Sequence, residues 1–442
     1  MKIEDTASQS TPRGDAAVGT ADAVPALVEI YADDEPAFVV HPIATPIVIG
    51  RGDDCDLVLD DKRASRRHAD VRYDGGTWRI ADLGSHNGTF VDTRRVDRVV
   101  ETRDEVVLAI GNRVFLLVHD ARRLDGGVEV HDGVVLGPRL RAVWDTVTQL
   151  AATGNSLHVI GETGSGKEVL ARRFHAVRCP RAPFVAVNCA AIPPMIAERL
   201  FFGARRGAYS GADVDAEGYL AAADGGVLFL DEIGELSLDV QAKLLRAIET
   251  REVLPLGAVK PRPLDVVVVS ATHVDLRAAV GRGTFREDLY FRIVSAEVVV
   301  PPLRERREEI PWIVATALRG QPVRAHASFV ELALARPWPG NVRELAGAAA
   351  TARKLVPADE THLRMGQLPA HTGLWLAPRE TPSTPVDPET AAVYDALRAT
   401  GGNVTQTARA LGLHRNQLRR WIERHAVDVR QFKRGLLVDR GD

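Results

Sequence analysis

Cysteine is scarce in this chain: Cys55, Cys179 and Cys189 are the only three in 442 residues, and they show no paired spacing. That argues against a disulfide framework and against a cysteine-rich zinc site, and it fits a reducing compartment. No run approaches 18 apolar residues, so no membrane-spanning helix is expected. The opening stretch MKIEDTASQSTPRGD lacks a basic region followed by an apolar one, so no secretory leader is read. These absences point to the cytoplasm and to no membrane partner. Neither sign of charge is in excess. The net charge of −3 says nothing by itself about nucleic acid, because domains of opposite sign can cancel. Lysine is also scarce, with seven among 56 basic residues, and one of the seven stands in a telling place.

That place is SLHVIGETGSGKEVLARRFHAV, residues 156–177. An apolar run, Leu157 to Ile160, reads as a buried strand. A glycine-dense turn follows, and from Lys167 the apolar residues take helical spacing. Strand, loop and helix in that order make a phosphate site. Consecutive backbone N–H groups of Gly161, Glu162, Thr163, Gly164, Ser165 and Gly166 can converge on one concavity, and the helix N-terminus adds partial positive charge. Lys167 would meet the β- and γ-phosphates. With so few lysines, a chance G-x-x-x-x-G-K is expected roughly 0.05 times in such a chain. The strict pattern ends in Ser or Thr, but Glu168 stands there, so a metal must be held by a carboxylate elsewhere. GGVLFLDEIGEL supplies one: an apolar strand ending in Asp231-Glu232, at the edge where parallel α/β sheets bind ligands. Asp231 would hold Mg²⁺ and Glu232 would orient the attacking water. A second strand, DVVVVSAT, ends in Thr272, placed to sense the γ-phosphate.

At 442 residues the chain exceeds one core and suggests about three domains. Residues 1–24 are small, polar and expected to be disordered. Residues 25–120 carry short β-rich runs between turn residues, which reads as an all-β sandwich. Residues 121–132 form a connector. Residues 133–370 alternate apolar strands with helical patterns, the signature of a parallel sheet covered by helices. Residues 371–388 are proline-rich and read as an extended linker. Residues 389–428 are helical, and 429–442 form a tail. From Glu389 onward 10 basic residues face 6 acidic ones, a local +4 inside a chain of −3.

In the β segment, Gly50-Arg51, Ser65-Arg66-Arg67-His68 and Asp82 to Thr89 lie between strands, on loops where binding residues usually sit. Taken alone, Asn87-Gly88 is a hairpin signal. With the other two motifs, the order GR, SRxH, NGT resembles the forkhead-associated (FHA) domain, a reader of phosphothreonine peptides. The resemblance implies that Arg51, Ser65 and Arg66 meet the phosphate, which carries about −1.5 to −2 charges. It implies that Asn87 holds the peptide backbone. The partner would be a phosphothreonine protein, the product of a Ser/Thr kinase.

Seven ordered motifs extend the argument: GETGSGKE, VNCAAI, ERLFFGARRGAYSGA, GGVLFLDEIGEL, FREDLYFRI, PPLRERREEI and WPGNVREL. Together they resemble the AAA+ ATPase domain of the activators of sigma-54 RNA polymerase, with a helical lid from about residue 305. The resemblance implies ATP and Mg²⁺ as ligands. It implies that Asn188 restrains the catalytic Glu232 and that Arg343 senses the γ-phosphate from the lid. Arg286 and Arg292 would be fingers reaching a neighbouring subunit's nucleotide, which requires a homo-oligomeric ring, a hexamer when active. The family's polymerase-contacting loop, GAFTGA, corresponds to Gly207, Ala208, Tyr209, Ser210, Gly211 and Ala212. Two departures stand out: Ser210 for Thr, and His273 where the family has Asn.

The C-terminal ATGGNVTQTARALGLHRNQLRRWIERH shows helix-turn-helix spacing, with Gly412 as the turn. It resembles the Fis-type DNA-binding domain of the same activators, with Arg415, Asn416, Gln417, Arg419 and Arg420 facing DNA upstream of a promoter. The whole reads as an ATP-hydrolysing sigma-54 activator governed by phosphothreonine recognition. The rival reading is a phosphorylation-responsive DNA-binding regulator or scaffold whose variant loop no longer remodels polymerase.

Overall fold

The computed structural model describes residues 23–153, 156–209, 213–357 and 360–375. In the C-terminal part it describes 393, 396–397, 399–401 and 403–424. The expected disordered N-terminus (to residue 22), most of the proline-rich linker (from 376), the tail, and Ser210, Gly211 and Ala212 lie outside the described residues. The chain divides into two compact units, 1–375 and 376–442.

The first unit begins as a β-sandwich. A six-stranded sheet runs in the order Glu35–Pro42, Ala26–Ala32, Arg113–Val118, Val107–Ile110, Thr89–Val91, Arg94–Arg95. The facing five-stranded sheet runs Leu57–Val58, Ile47–Gly50, Ala69–Asp74, Thr77–Asp82, Val99–Thr102. Between them Trp78, Phe115, Ile49 and Leu27 belong to one buried core. Strand Ala26–Ala32 explains why ALVEIY lacks clean alternation: six of its seven residues are buried. Side chains of a strand alternate between faces. Leu27 enters the sandwich core, while Ala26, Val28 and Ile30 enter a second core on the outer face. A register shift between Glu29 and Tyr31 brings Tyr31 to that same outer side as Ile30.

The next domain holds a five-stranded sheet, all parallel, in the order Phe184–Asn188, Val227–Asp231, Val267–Thr272, Leu157–Ile160, Glu297–Val299. Apolar clusters cover both faces. This is why its strands read as unbroken apolar runs. Past Leu303 the chain builds a helical lid from Ile310–Ala317, Ala327–Leu334 and Asn341–Leu355. The second core joins sandwich and lid: Val28, Ile30, Val107 and Leu116 pack in one cluster with Ile310, Phe329, Val330 and Leu334. Tyr31 Oη donates to Ala325 O at 2.5 Å, and Glu331 accepts from Thr93 N at 3.0 Å. Sandwich and lid are therefore one packed body.

Burial pushes the Glu331 carboxyl up to about 7. A folded-state value above the unfolded one means that the native state binds the extra proton between about pH 4.5 and 7, so stability falls as pH rises through that window. Glu331→Gln keeps an acceptor for Thr93 N without the buried charge. It is expected to raise the melting temperature at pH 8, by the equivalent of about 1–3 kcal/mol, and to have little effect at pH 5. Calorimetry at the two pH values checks this.

In the second unit, helices Val404–Ala410 and Arg415–Arg424 flank Gly412, whose φ of +65° makes the turn. The Asn403 side chain caps the first helix, accepting from Thr405 N and Gln406 N. Val393, Leu397, Ala408 and Leu418 make a small core.

Candidate functional site

The glycine turn after strand Leu157–Ile160 carries the chain into helix Lys167–Arg178. Gly164 and Gly166 take φ of +74° and +111°, values that a β-carbon disfavours. A side chain at Gly164 would meet Gly340 O at 2.3 Å, so the lid closes directly on this loop. Lys167 Nζ donates to Gly161 O at 3.0 Å and lies 3.3 Å from Glu232 Oε1. Glu232 stands at the end of its strand at φ +52°, strained for a non-glycine residue, and that bend turns its carboxylate back over the loop. Its other oxygen lies 2.6 Å from His273 Nδ1. Burial would push Glu232 up, but the His273 hydrogen bond and the Lys167 charge outweigh it and hold the carboxyl below its usual range. Asp231 beside it is half-buried, and burial pushes its carboxyl up despite Lys167.

A cavity of about 440 Å³ joins these groups. Loop residues 163–168, Asp231, Glu232 and Arg343 line it together with the apolar Val134, Leu140, Ile313 and Ala346. The volume and the mixture of polar and apolar lining suit a nucleotide. Ser165 Oγ is buried with no hydrogen-bond partner among the described residues. Asp231 offers a hard cation the anionic oxygen it prefers, so the donor set fits Mg²⁺. Glu168 instead pairs with Arg172 on the exposed helix face, at 2.7 Å.

Asn188 and Thr272 make contacts other than the expected ones. Asn188 does not hold Glu232. Its Oδ1 accepts from Ala190 N at 3.0 Å, capping the turn that ends its strand, and His273 takes the glutamate instead. Thr272 is fully buried, with Oγ1 accepting from Val274 N and its carbonyl accepting from Gly161 N, so it ties the strand end to the loop. Arg286 and Arg292 are exposed on helix Glu287–Ile293 and its cap, outside this cavity. Arg286 is held by Asp288 at 2.6 Å, and Arg292 reaches Ile248 O at 3.4 Å.

Sequence reasoning passed over a set of clasps between loop and lid. Glu162 is gripped by Arg304 through two hydrogen bonds, 2.7 and 2.8 Å, and by Asn341 at 3.0 Å. The Arg304 hydrogen bonds hold its carboxyl below the usual range. Arg306, fully buried, donates to Ser165 O at 2.6 Å and to Glu309 at 2.7 Å. Glu309 in turn accepts from Gly137 N at 2.9 Å. The signal was in the charge-dense RERREE beside apolar residues, since buried charges must be paired.

In the sandwich, the loops bring Arg51, Ser65, Arg66 and Asn87 to one end. Arg51 N donates to Ser65 O and Gly52 N to Arg66 O, both at 2.9 Å. A side chain at Gly50 would fall 2.2 Å from Arg66 O, which is why glycine precedes Arg51. Ser65 N donates to His68 Nδ1 at 3.0 Å, so the proton sits on Nε2, which lies 3.2 Å from Gly88 O. Burial lowers the His68 pKa and keeps the ring neutral. Asn87 Nδ2 donates to Arg63 O at 2.7 Å. Arg51, Arg66 and Asn87 remain exposed. In the second unit Arg415, Gln417 and Arg419 are exposed on the second helix, opposite buried Leu418. The side chains of Asn416 and Arg420 lie outside the described residues.

Three family models match the chain in order: FHA domain at 47–113, Sigma-54 interaction domain at 135–299, and Bacterial regulatory protein, Fis family, at 387–425. The hydrogenase transcriptional regulatory protein HoxA of Bradyrhizobium diazoefficiens is 39% identical over 366 residues, covering 78% of this chain and 75% of HoxA. This chain belongs to the sigma-54-dependent transcriptional regulators. Another such regulator, the transcriptional regulatory protein ZraR of Klebsiella oxytoca, is 38% identical over 294 residues, 64% of this chain. The chain spans 66% of the length of ZraR. Among solved structures, NtrX of Brucella abortus matches with a TM-score of 0.51 and 28% identity, over 67% of this chain and 69% of NtrX. In this sigma-54 regulator, then, an FHA sandwich, an AAA+ core and a Fis-type helix-turn-helix follow one another along the chain.

Proposed function

We propose that the protein is an ATPase that remodels sigma-54 RNA polymerase at promoters, anchored by its C-terminal helices to DNA upstream and governed by phosphothreonine recognition through its FHA domain. The observation that carries this is Glu232, held ionised between Lys167 and His273 in a cavity that the lid also lines, with the FHA sandwich packed onto that same lid. Lys167 and the loop amides bind the phosphates of ATP, and Asp231 holds Mg²⁺. The metal, when bound, neutralises charge on the phosphates. Glu232 orients and polarises the attacking water once its bond to His273 gives way, and Arg343 reports the nucleotide to the lid. Arg286 and Arg292 of a neighbouring copy complete the site, so the working form is a ring, a hexamer. Phosphothreonine bound by Arg51, Ser65, Arg66 and Asn87 acts on the lid that the sandwich rides on.

The test is the 207–212 loop. Tyr209 is exposed, and its hydroxyl accepts from Arg199 Nη1 at 2.8 Å. Tyr209→Ala is expected to leave ATP turnover within about twofold and to cut transcription from a sigma-54 promoter by at least about tenfold, the loss of one central interface aromatic. Unchanged transcription would remove polymerase from the proposal and leave the regulator or scaffold reading.

A further inference from the structure

An open groove of about 940 Å³ runs between sandwich and lid, and none of the sites above uses it. Its floor includes buried Val91, Val106 and Leu334. Five arginines line it, against one acid, Asp92. Arg304, Arg307 and Arg336 have their partners: Glu162, the carbonyls of Leu334 and Glu105, and the carbonyls of Pro369 and Thr372. Arg94 and Arg95 are exposed and have no ion-pair partner among the described residues. They form the last strand of the six-stranded sheet, so one side of its backbone has no neighbouring strand. One wall of the groove also adjoins the Asn87 loop. Arg95 lies against Gly88, where a side chain would meet its Nε at 2.8 Å, and Gly88 follows Asn87.

We propose that this groove is a second recognition surface for the same phosphorylated partner, taking an extended acidic segment that adjoins the phosphothreonine. The inference rests on the phosphothreonine reading of the FHA loops. A peptide held at Asn87 would need only to continue along the open edge strand to place carboxylates beside Arg94 and Arg95. Extended segments add to such edges through backbone hydrogen bonds, with side chains supplying specificity. Acidic residues in the groove meet unpaired arginines on one wall and the lid on the other, so the partner would touch sandwich and lid at once.

The test uses the full chain and three fluorescent phosphothreonine peptides: one with aspartates after the phosphothreonine, one with them before, and one with Ser/Gly flanks. One acidic peptide is expected to bind about five- to tenfold more tightly than the neutral one, the sum of a few rim ion pairs. Arg94→Glu should erase that gain and leave the neutral phosphopeptide within about twofold. Arg94→Lys should retain most of the gain, which separates charge from misfolding. Equal binding of all three peptides, or a gain that survives Arg94→Glu, would overturn the proposal. So would equal binding of an unphosphorylated acidic peptide, which would mark a general polyanion site. If no peptide binds in a phosphate-dependent way, the phosphothreonine reading itself fails, and the neutral phosphopeptide identifies that outcome.

Discussion

Arg292→Ala should lower ATP turnover per subunit by about 10³- to 10⁵-fold, the range that trans-acting arginines contribute in phosphoryl transfer. Action between copies requires an arginine that is outside its own cavity and open to a neighbour. Arg292 is exposed on helix Glu287–Ile293, its own cavity is lined by other residues, and its hydrogen bond to Ile248 O is long at 3.4 Å. Arg286 is more firmly held, by Asp288, and would have to break that pair to reach across. Mixing supplies the decisive measurement. A subunit lacking Arg292 retains Glu232, and a Glu232→Gln subunit retains Arg292. Mixtures of the two inactive variants should therefore regain phosphate release where a proper pair meets. If mixing restores nothing, or if Arg292→Ala alone keeps turnover within about tenfold of the parent, the arginine does not work in trans.

Glu232→Gln is expected to bind ATP with affinity close to that of the parent and to hydrolyse it about 10²- to 10⁴-fold more slowly. The amide preserves size and a hydrogen-bond acceptor but cannot accept the water's proton. It also weakens the contacts with Lys167 at 3.3 Å and His273 at 2.6 Å, both of which favour the carboxylate. Because those neighbours hold the carboxyl below its usual range, turnover of the parent should not fall through Glu232 protonation near neutral pH. Nucleotide binding by fluorescence and single-turnover phosphate release separate the two effects. Comparable loss of both would make Glu232 a structural residue.

How much of this was legible in the residues alone depended on whether the physics is local. Lys167 at a helix start after a glycine turn, and Asp231-Glu232 at the end of an apolar run, announce themselves because strand, loop and helix each fix their own neighbours. The backbone partners of Asn188 and Thr272 did not, because whether a polar side chain faces a ligand or caps its own strand end is decided by one rotamer. His273 was visible only as a departure, yet it holds the glutamate. The clasp of Glu162 by Arg304 and Asn341 joins residues 142 and 179 positions apart, beyond the reach of any pattern with a helical or strand period. The packing of sandwich on lid had one trace, the unalternating ALVEIY, whose second buried face had no assigned partner until Phe329 and Val330 supplied one.

That doubly covered strand has a corollary for how the chain could be taken apart. A domain that is merely tethered can be cut away at its connector without exposing its core. Here the outward side of Ala26–Ala32, with Val107 and Leu116 beside it, forms part of the lid's own interior. Severed from the lid, the sandwich would show water a greasy face, and the lid would lose part of its interior with it. Side chains on that strand face and on the lid helices must therefore fit one another, so a substitution on either side limits what the other can accept.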